Sequence, residues 1–241
     1  MCRALTRVVI PDSVISIGSQ AFWDCTGLTS VTIGSGVTSI GDYAFYRCQN
    51  LTRLVIPDGV TTIGSMAFNL CTGLTRVAIG GGVTTIGNQA FESCSGLTCV
   101  TIGSRVASIG DYAFRFCANL AGVYFTGNAP SLGGTSVFTG DNNATVYYLP
   151  GKTGWGTTYG GRPAVLWNPQ VQGDDFGVES GQFGFTFTNA ANPLVVIQSC
   201  TDLLDPAWSP VATSALVSGS ARFNDPQWTN HPVRFYRLRM P

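Results

Sequence analysis

A cysteine recurs every 23 residues through the first half of the chain, and this column is the most regular set of reactive side chains in the sequence. Such a column admits three kinds of chemistry: an array of metal ligands, a set of disulfides, or buried thiols. A zinc site needs four ligands, and no histidine or carboxylate column repeats beside the cysteines to complete one. The six positions are Cys2, Cys25, Cys48, Cys71, Cys94 and Cys117.

Disulfides along the column are disfavoured by the direction of the cysteine side chains. Stacked strands lie about 4.8 Å apart, which is within reach of a disulfide, but neighbouring side chains in a stack point the same way. We therefore predict buried free thiols that pack as small apolar groups. Cys99 differs because it occupies an outward strand position, where we expect a reactive or mispaired thiol, and Cys200 has no obvious partner.

Catalytic combinations are scarce. The single histidine, His231, precedes a proline and is interpreted as a surface turn residue, and Glu92 and Glu179 are the only glutamates. The runs 141–143 and 174–175 carry oxygen ligands that calcium accepts, yet no EF-hand spacing surrounds them, so both are interpreted as loops. The sequence predicts no catalytic residue, cofactor or metal. An enzyme with its site in the C-terminal domain stays open as a less favoured alternative.

The 23-residue period belongs to a whole structural unit, because leucine and phenylalanine columns accompany the cysteines. The run 28–33 alternates apolar and polar residues as a short strand does, and 37–40 forms a second extended piece. Asp42 then occupies a position of good N-cap residues, which predicts a single helical turn carrying Phe45 and Cys48. Glycine or asparagine two residues after the cysteine is interpreted as the end of that helix.

A single coil of this kind does not fold alone. Burying five or six large apolar side chains contributes about 1.5–3 kcal/mol each, whereas ordering the residues costs roughly 1.5 kcal/mol per residue. Neighbouring coils must add hydrogen bonds and cover the open faces, which predicts a stacked solenoid.

The coils resemble the leucine-rich repeats of the BspA-like (Treponema pallidum-type) class. The matching pattern is Leu-Thr-x-Val-x-Ile-Pro/Gly followed by Val-x-x-Ile-Gly-x-x-Ala-Phe-x-x-Cys, and it runs from Leu5 to Asn119. A sixth coil from Leu120 keeps Val123 and Phe125 but loses the cysteine. The resemblance implies bacterial or protist surface and secreted proteins that bind host proteins, matrix or other cells.

The expected fold is an α/β leucine-rich-repeat solenoid followed by a small all-β sandwich-like domain. Composition shifts divide the chain into a solenoid of six coils at 1–125, an aromatic cap at 126–167, a linker at 168–175 and a small β domain at 176–241. Alternating Phe183, Phe185 and Phe187 predict a half-buried strand in the last segment. Its C-terminal end resembles a module of verrucomicrobial-type secreted proteins.

Charge and hydropathy exclude two classes of partner. The 13 basic and 13 acidic residues leave no cationic excess for a nucleic-acid backbone. No run approaches the roughly 18 apolar residues of a membrane span. Because Met1 already lies inside the repeat, we expect an N-terminal truncation with a lost signal peptide, an extracellular or cell-surface location, and self-association through the uncapped first coil.

The predicted function is a non-enzymatic binding or adhesion module for a protein or glycan, with a passive spacer as the alternative. The strand side presents outward columns that contain an arginine stripe, and the opposite side presents aromatic residues. The partner-binding candidates of the strand side are Arg7, Arg53, Arg76, Thr32, Thr101 and Tyr124. The secondary candidates of the other side are Trp23, Tyr43, Tyr46, Tyr112 and Phe116.

Overall fold

The computed structural model describes residues 2–173, 175–179, 181–189, 193–203, 207–231 and 233–241. Asp174, a predicted linker residue and calcium candidate, lies outside them. The chain separates into two compact units, Met1–Val165 and Leu166–Pro241.

The first unit is a solenoid in which every coil contributes one long and one short strand. Long strands stack in parallel at a 23-residue register, so that Arg53 pairs with Arg76 and Ile56 with Ile79. The ladder is continuous from β5 to β13, while β1 and β3 form a separate pair beside it. The long strands are β1 (Arg7–Ile10), β3 (Ser30–Ile33), β5 (Arg53–Ile56), β7 (Arg76–Ile79), β9 (Cys99–Ile102), β11 (Gly122–Phe125) and β13 (Thr145–Tyr148).

The short strands form a second parallel sheet along another side of the coils. The first five bury an isoleucine, and the last carries the half-buried Leu132 at the same position. The short strands are β2 (Ser16–Ile17), β4 (Ser39–Ile40), β6 (Thr62–Ile63), β8 (Thr85–Ile86), β10 (Ser108–Ile109) and β12 (Ser131–Leu132).

The predicted helical turn of each coil is wrong, because the third side of the coil is a ladder of turns. In the second coil Phe45 N–H donates to the Ala67 carbonyl of the next coil at 2.7 Å, whereas Tyr46 N–H closes a turn within its own coil. Every second amide thus bonds forward along the solenoid. A helix would keep these bonds inside the segment.

This turn ladder requires a left-handed backbone at two positions of each coil. Ten residues other than glycine have φ between 54° and 61° there. The predicted N-caps also have another role: Asp42 Oδ1 accepts from Ser65 N–H of the next coil at 2.7 Å. The ten positions are Gln20, Asp24, Tyr43, Arg47, Met66, Leu70, Gln89, Ser93, Tyr112 and Phe116.

The glycine two residues after Cys25, Cys71 and Cys94 permits close packing between coils, and the prediction of a left-handed helix end there is wrong. A Cβ on Gly73 would lie 2.4 Å from the Gln49 carbonyl oxygen of the preceding coil. Where asparagine replaces glycine, its side chain makes the contact instead: Asn50 Nδ2 donates to the Thr26 carbonyl at 2.8 Å. Both residues therefore connect one coil to the previous one.

A column of phenylalanines fills the core. Their rings stack nearly parallel, with centroids 4.9–5.6 Å apart from Phe22 to Phe138. The leucine that follows each cysteine is fully buried beside them, as at Leu51 and Leu74. The same inward chemistry repeats in each coil because each coil meets the same neighbours.

Residues after the sixth coil cover its open side. The period continues into β13, whose Thr145 pairs with Gly122. A hairpin of β14 (Thr158–Tyr159) and β15 (Arg162–Leu166) follows. Its Gly160 lies against the Phe138 ring, and Tyr159 donates its hydroxyl to the Pro130 carbonyl at 2.9 Å.

The second unit contains two small sheets of mostly antiparallel strands. The rings of Phe183 and Tyr236, one from each sheet, stack at 5.0 Å between centroids. One sheet contains β16 (Gln170–Val171), β17 (Gly177–Glu179), β18 (Gln182–Thr188) and β21 (Ser220–Asp225). The other contains β19 (Leu194–Cys200), β20 (Ser209–Ala215) and β22 (Phe235–Arg239).

Two predicted boundaries differ from the structure. Gln170 and Val171, assigned to the linker at 168–175, pair with Thr188 and Phe187 of the second unit. Trp167, assigned to the cap at 126–167, is 6% exposed and donates from Nε1 to the Leu194 carbonyl of the second unit. In both cases the partner lies far along the sequence, so local composition gave no sign of it.

Candidate functional site

The long-strand face consists of the outward residues of the long strands, at the first and third positions of each. Strand alternation places these side chains opposite the core. Arg7, Arg53, Arg76 and Thr32 are exposed as predicted. Val9 and Val55 accompany them at 62% and 64% exposure, as expected from their outward register position, although neither is among the predicted binding candidates.

The charge of the long-strand face is entirely cationic. The long strands contain three arginines and no aspartate or glutamate. Within the described part of the chain, Arg7, Arg53 and Arg76 form no ion pair. The face therefore presents unpaired positive charge beside exposed aliphatic side chains.

The far end of this face is closed, which corrects two predictions. Tyr124 is only 2% exposed. Its ring packs over Gly122, because a Cβ on that glycine would lie only 2.5 Å from Cε2 of the ring. It stacks on Tyr147, with centroids 4.9 Å apart. Cys99, predicted as a reactive outward thiol, is 4% exposed, and burial raises its pKa to about 11, with Arg76 pulling in the other direction. Thr101 is half-buried.

The turn face, formed by the turn ladder, carries the secondary candidates in two groups. Trp23, Tyr43 and Tyr46 pack on one another, with 4.3 Å between the Trp23 and Tyr46 ring centroids. Beside them the buried Asp24 carboxylate pairs with Arg3 at 2.8 Å and with Arg47 at 3.7 Å. Both arginines beside this aromatic group therefore already face a carboxylate.

The second group lies three coils further along. The Arg115 guanidinium lies over the Phe116 ring at 4.4 Å and over the Tyr112 ring at 4.8 Å. Arg115 also faces Glu92 at 3.6 Å. Phe116 is 46% exposed. The cation of this group is therefore already placed against two rings and a carboxylate of the solenoid.

The cysteine column consists of free thiols, as predicted. Cys25, Cys48, Cys71, Cys94 and Cys117 are buried and unbridged, and Cys2 is exposed. Their Sγ atoms do more than pack: Cys71 Sγ donates to the Phe45 carbonyl of the preceding coil at 3.2 Å. Burial raises the pKa of Cys48 to about 12, so the Cys48 thiol stays protonated and keeps its equivalent bond to the Phe22 carbonyl.

A buried carboxyl group ends the column where the sixth coil lacks a cysteine. Asp141 is 0% exposed, and neither of its carboxylate oxygens has a hydrogen-bond partner among the described residues. Burial raises its pKa to about 7, while the Cys117 backbone and Arg162 partly oppose that rise. The loop interpretation of 141–143 missed this residue, although its place after Phe138 repeats the phenylalanine–cysteine spacing.

No group of three histidine, cysteine, aspartate or glutamate side chains within the described ranges is arranged to hold a metal ion. No helix among these residues has the length and apolar character to cross a bilayer.

Comparison with known proteins identifies the family of the repeat. Residues 1–139 match the family model described as the BspA type leucine-rich repeat region, in six copies. A T. pallidum leucine-rich-repeat protein is 29% identical over 59% of this chain and 73% of that chain, with a TM-score of 0.52. A leucine-rich-repeat protein from Eubacterium ventriosum is 33% identical over 49% of this chain but only 32% of its own, with a TM-score of 0.47. No curated protein matches. The predicted family is confirmed: the chain belongs to the BspA-type leucine-rich-repeat family.

Proposed function

We propose that this chain is a non-enzymatic adhesion module of a bacterial cell surface, and that its long-strand face binds the partner. The surface location rests on what the family resemblance implies. The binding role rests on one observation: the long-strand face combines unpaired arginines with exposed aliphatic side chains. Solenoids commonly bind along such extended faces.

The physical argument is that the exposed valines of the long-strand face gain no burial within the solenoid itself. Val9 and Val55 are more than 60% exposed in strands whose alternate residues are buried or half-buried. When a partner removes exposed aliphatic groups from water, the burial contributes about 25 cal/mol of binding free energy per Å² of apolar surface. The adjacent arginines supply orientation and speed of association.

The turn face is a weaker candidate. Its aromatic groups pack on one another, and its arginines already face Asp24 or Glu92. A partner at that face would have to replace contacts that the solenoid makes for itself.

Beads coated with the protein test the proposal by their retention on surfaces coated with extracellular-matrix proteins. Arg53→Ser/Arg76→Ser removes the charge of the face, and Val55→Ser removes an exposed aliphatic group. Arg105→Ser is the matched control, because Arg105 is an exposed arginine in the turn after β9. We expect both face variants to lose at least tenfold in retention and the control to keep it.

A passive spacer predicts a different result. Retention that is equal for the wild type and both face variants would reject the long-strand face as the binding site. Circular dichroism of each variant checks that the fold is retained, since all substituted side chains are exposed.

A further inference from the structure

We propose that the Arg53–Arg76 pair of the long-strand face recognises an acidic polypeptide segment. This inference rests on the proposed function, because it names the partner of the same face. The partner would present carboxylates to the two guanidinium groups and apolar side chains to Val55.

The pair is built by strand register. Arg53 and Arg76 are directly opposite in the parallel pair of β5 and β7, so their Cα atoms are about 4.8 Å apart. Like charges placed opposite each other destabilise a sheet. A carboxylate shared between the two side chains would convert that repulsion into attraction, and guanidinium groups bind carboxylates in a bidentate manner.

The solenoid offers no carboxylate of its own to this pair. Three of its acidic side chains are used between coils: Asp12, Asp42 and Asp58 accept backbone N–H groups of Ser35, Ser65 and Gly81 at 2.6–2.7 Å. Others lie on the turn face or are buried: Asp24, Glu92 and Asp141. Asp111 accepts from the N–H of Tyr112 at 3.0 Å.

The surroundings favour a polypeptide over a sulfated glycan. Val55 lies two residues from Arg53 on the same face and is 64% exposed, which suits alternating acidic and apolar side chains of an extended segment. The sulfates of a glycan can pair with the arginines, but stacking of its sugar rings requires an exposed aromatic side chain on this face. Both tyrosines at outward positions of the long strands, Tyr124 and Tyr147, are buried at 2% and 6% exposure.

Fluorescence anisotropy with three labelled polymers tests this inference. The polymers are poly-L-glutamate, dextran sulfate and neutral dextran. We expect poly-L-glutamate to bind the full chain at least tenfold more tightly than dextran, and more tightly than dextran sulfate of matched charge. Raising the salt concentration should weaken the binding. Arg53→Ser/Arg76→Ser should lose it, whereas Arg105→Ser should change the dissociation constant less than twofold.

Thermal unfolding gives a second measurement. If Arg53 and Arg76 served only solubility, the acidic polymer would not change the midpoint of unfolding. Relief of the repulsion should raise the midpoint of Arg53→Ser by roughly 1–2 °C without ligand. Poly-L-glutamate should raise the midpoint of the wild type but not of the double variant.

Three outcomes overturn the inference: tighter binding of dextran sulfate, no preference over dextran, or an equal loss in Arg105→Ser. The proposed function fails separately. If Val55→Ser still abolishes retention on matrix proteins while poly-L-glutamate does not bind, the long-strand face remains the binding site and only its partner class is wrong.

Discussion

At the residue scale, Asp141 shows what happens when the repeat loses its usual side chain. Four thiols of the cysteine column, from Cys48 to Cys117, donate to a phenylalanine carbonyl of the preceding coil. An ionised carboxylate cannot donate, and a buried charge without partners is costly. The raised pKa of Asp141, about 7, reflects this cost.

We expect Asp141 to reverse the usual pH dependence of stability. Its folded pKa lies above the unfolded value of about 3.9, so its contribution is complete below pH 4 and is lost as pH rises through 7. The free energy of unfolding of the first unit should fall by up to about 4 kcal/mol from this group between pH 4 and pH 8.

Denaturant titrations of Asp141→Asn at pH 5 and pH 8 measure this effect. The asparagine cannot ionise, so the variant should be more stable than the wild type at pH 8 and should lose this part of the pH slope. Asp42→Asn is the control, because its side-chain oxygen still accepts from Ser65 N–H. An unchanged slope in Asp141→Asn would show that another group controls it.

The left-handed residues of the turn ladder predict a stabilising glycine. Ser93 has φ 59°, a conformation that costs a residue with a Cβ about 1–2 kcal/mol. Ser93→Gly should therefore raise the free energy of unfolding by about 0.5–1 kcal/mol, measured by urea titration. Ser95→Gly is the matched control: Ser95 is exposed and has no positive φ, so it should lose about 0.5 kcal/mol. A loss in Ser93→Gly as well would mean that the side chain matters more than the backbone.

At the scale of elements, each coil depends on its neighbours for the hydrogen bonds of all three sides. Strand amides, turn amides and thiols bond to the coil before or after. This arrangement explains why the turn segment is no helix: its amides find carbonyls in the next coil, so bonds within the segment are not needed.

Phe68 tests how far the stacked column holds the coils together. It is fully buried and lies between Phe45 and Phe91 at 5.1 and 5.2 Å. Phe68→Ala should lower the free energy of unfolding by about 3–5 kcal/mol, because it removes the ring and leaves a cavity. Phe116→Ala removes an aromatic side chain that is 46% exposed and should cost less than 1 kcal/mol. Similar losses in the two variants would contradict a dominant role for the column.

At the scale of the whole molecule, charge is segregated although the net charge is zero. The charged residues of the long-strand face are all arginines, and the aspartates of the turns connect coils. Composition could exclude nucleic acid as a partner but could not reveal this segregation, because it depends on which residues the coil turns outward.

The first coil supplies the last prediction. Among the described residues β1 pairs on one side only, and Leu5 and Val8 are half-buried against the core while Ile15 is 62% exposed. We expect a polypeptide of these 241 residues to self-associate with concentration in sedimentation equilibrium. Ile15→Lys should weaken the association, and a monomer at high concentration would contradict the prediction.

The sequence by itself determined the repeat, its inward columns and the buried thiols, because identical environments demand the same residue type at a fixed spacing. Exposure of Arg53 and Arg76 followed from strand alternation alone. The tertiary structure decided what depends on distant partners. Because the turn amides bond to the next coil, the segment predicted as a helix is a turn ladder. Tyr124 is buried because its ring stacks on Tyr147 and packs over Gly122, which has no side chain. Gln170 and Val171 form a strand because they pair with β18, which lies further along the chain.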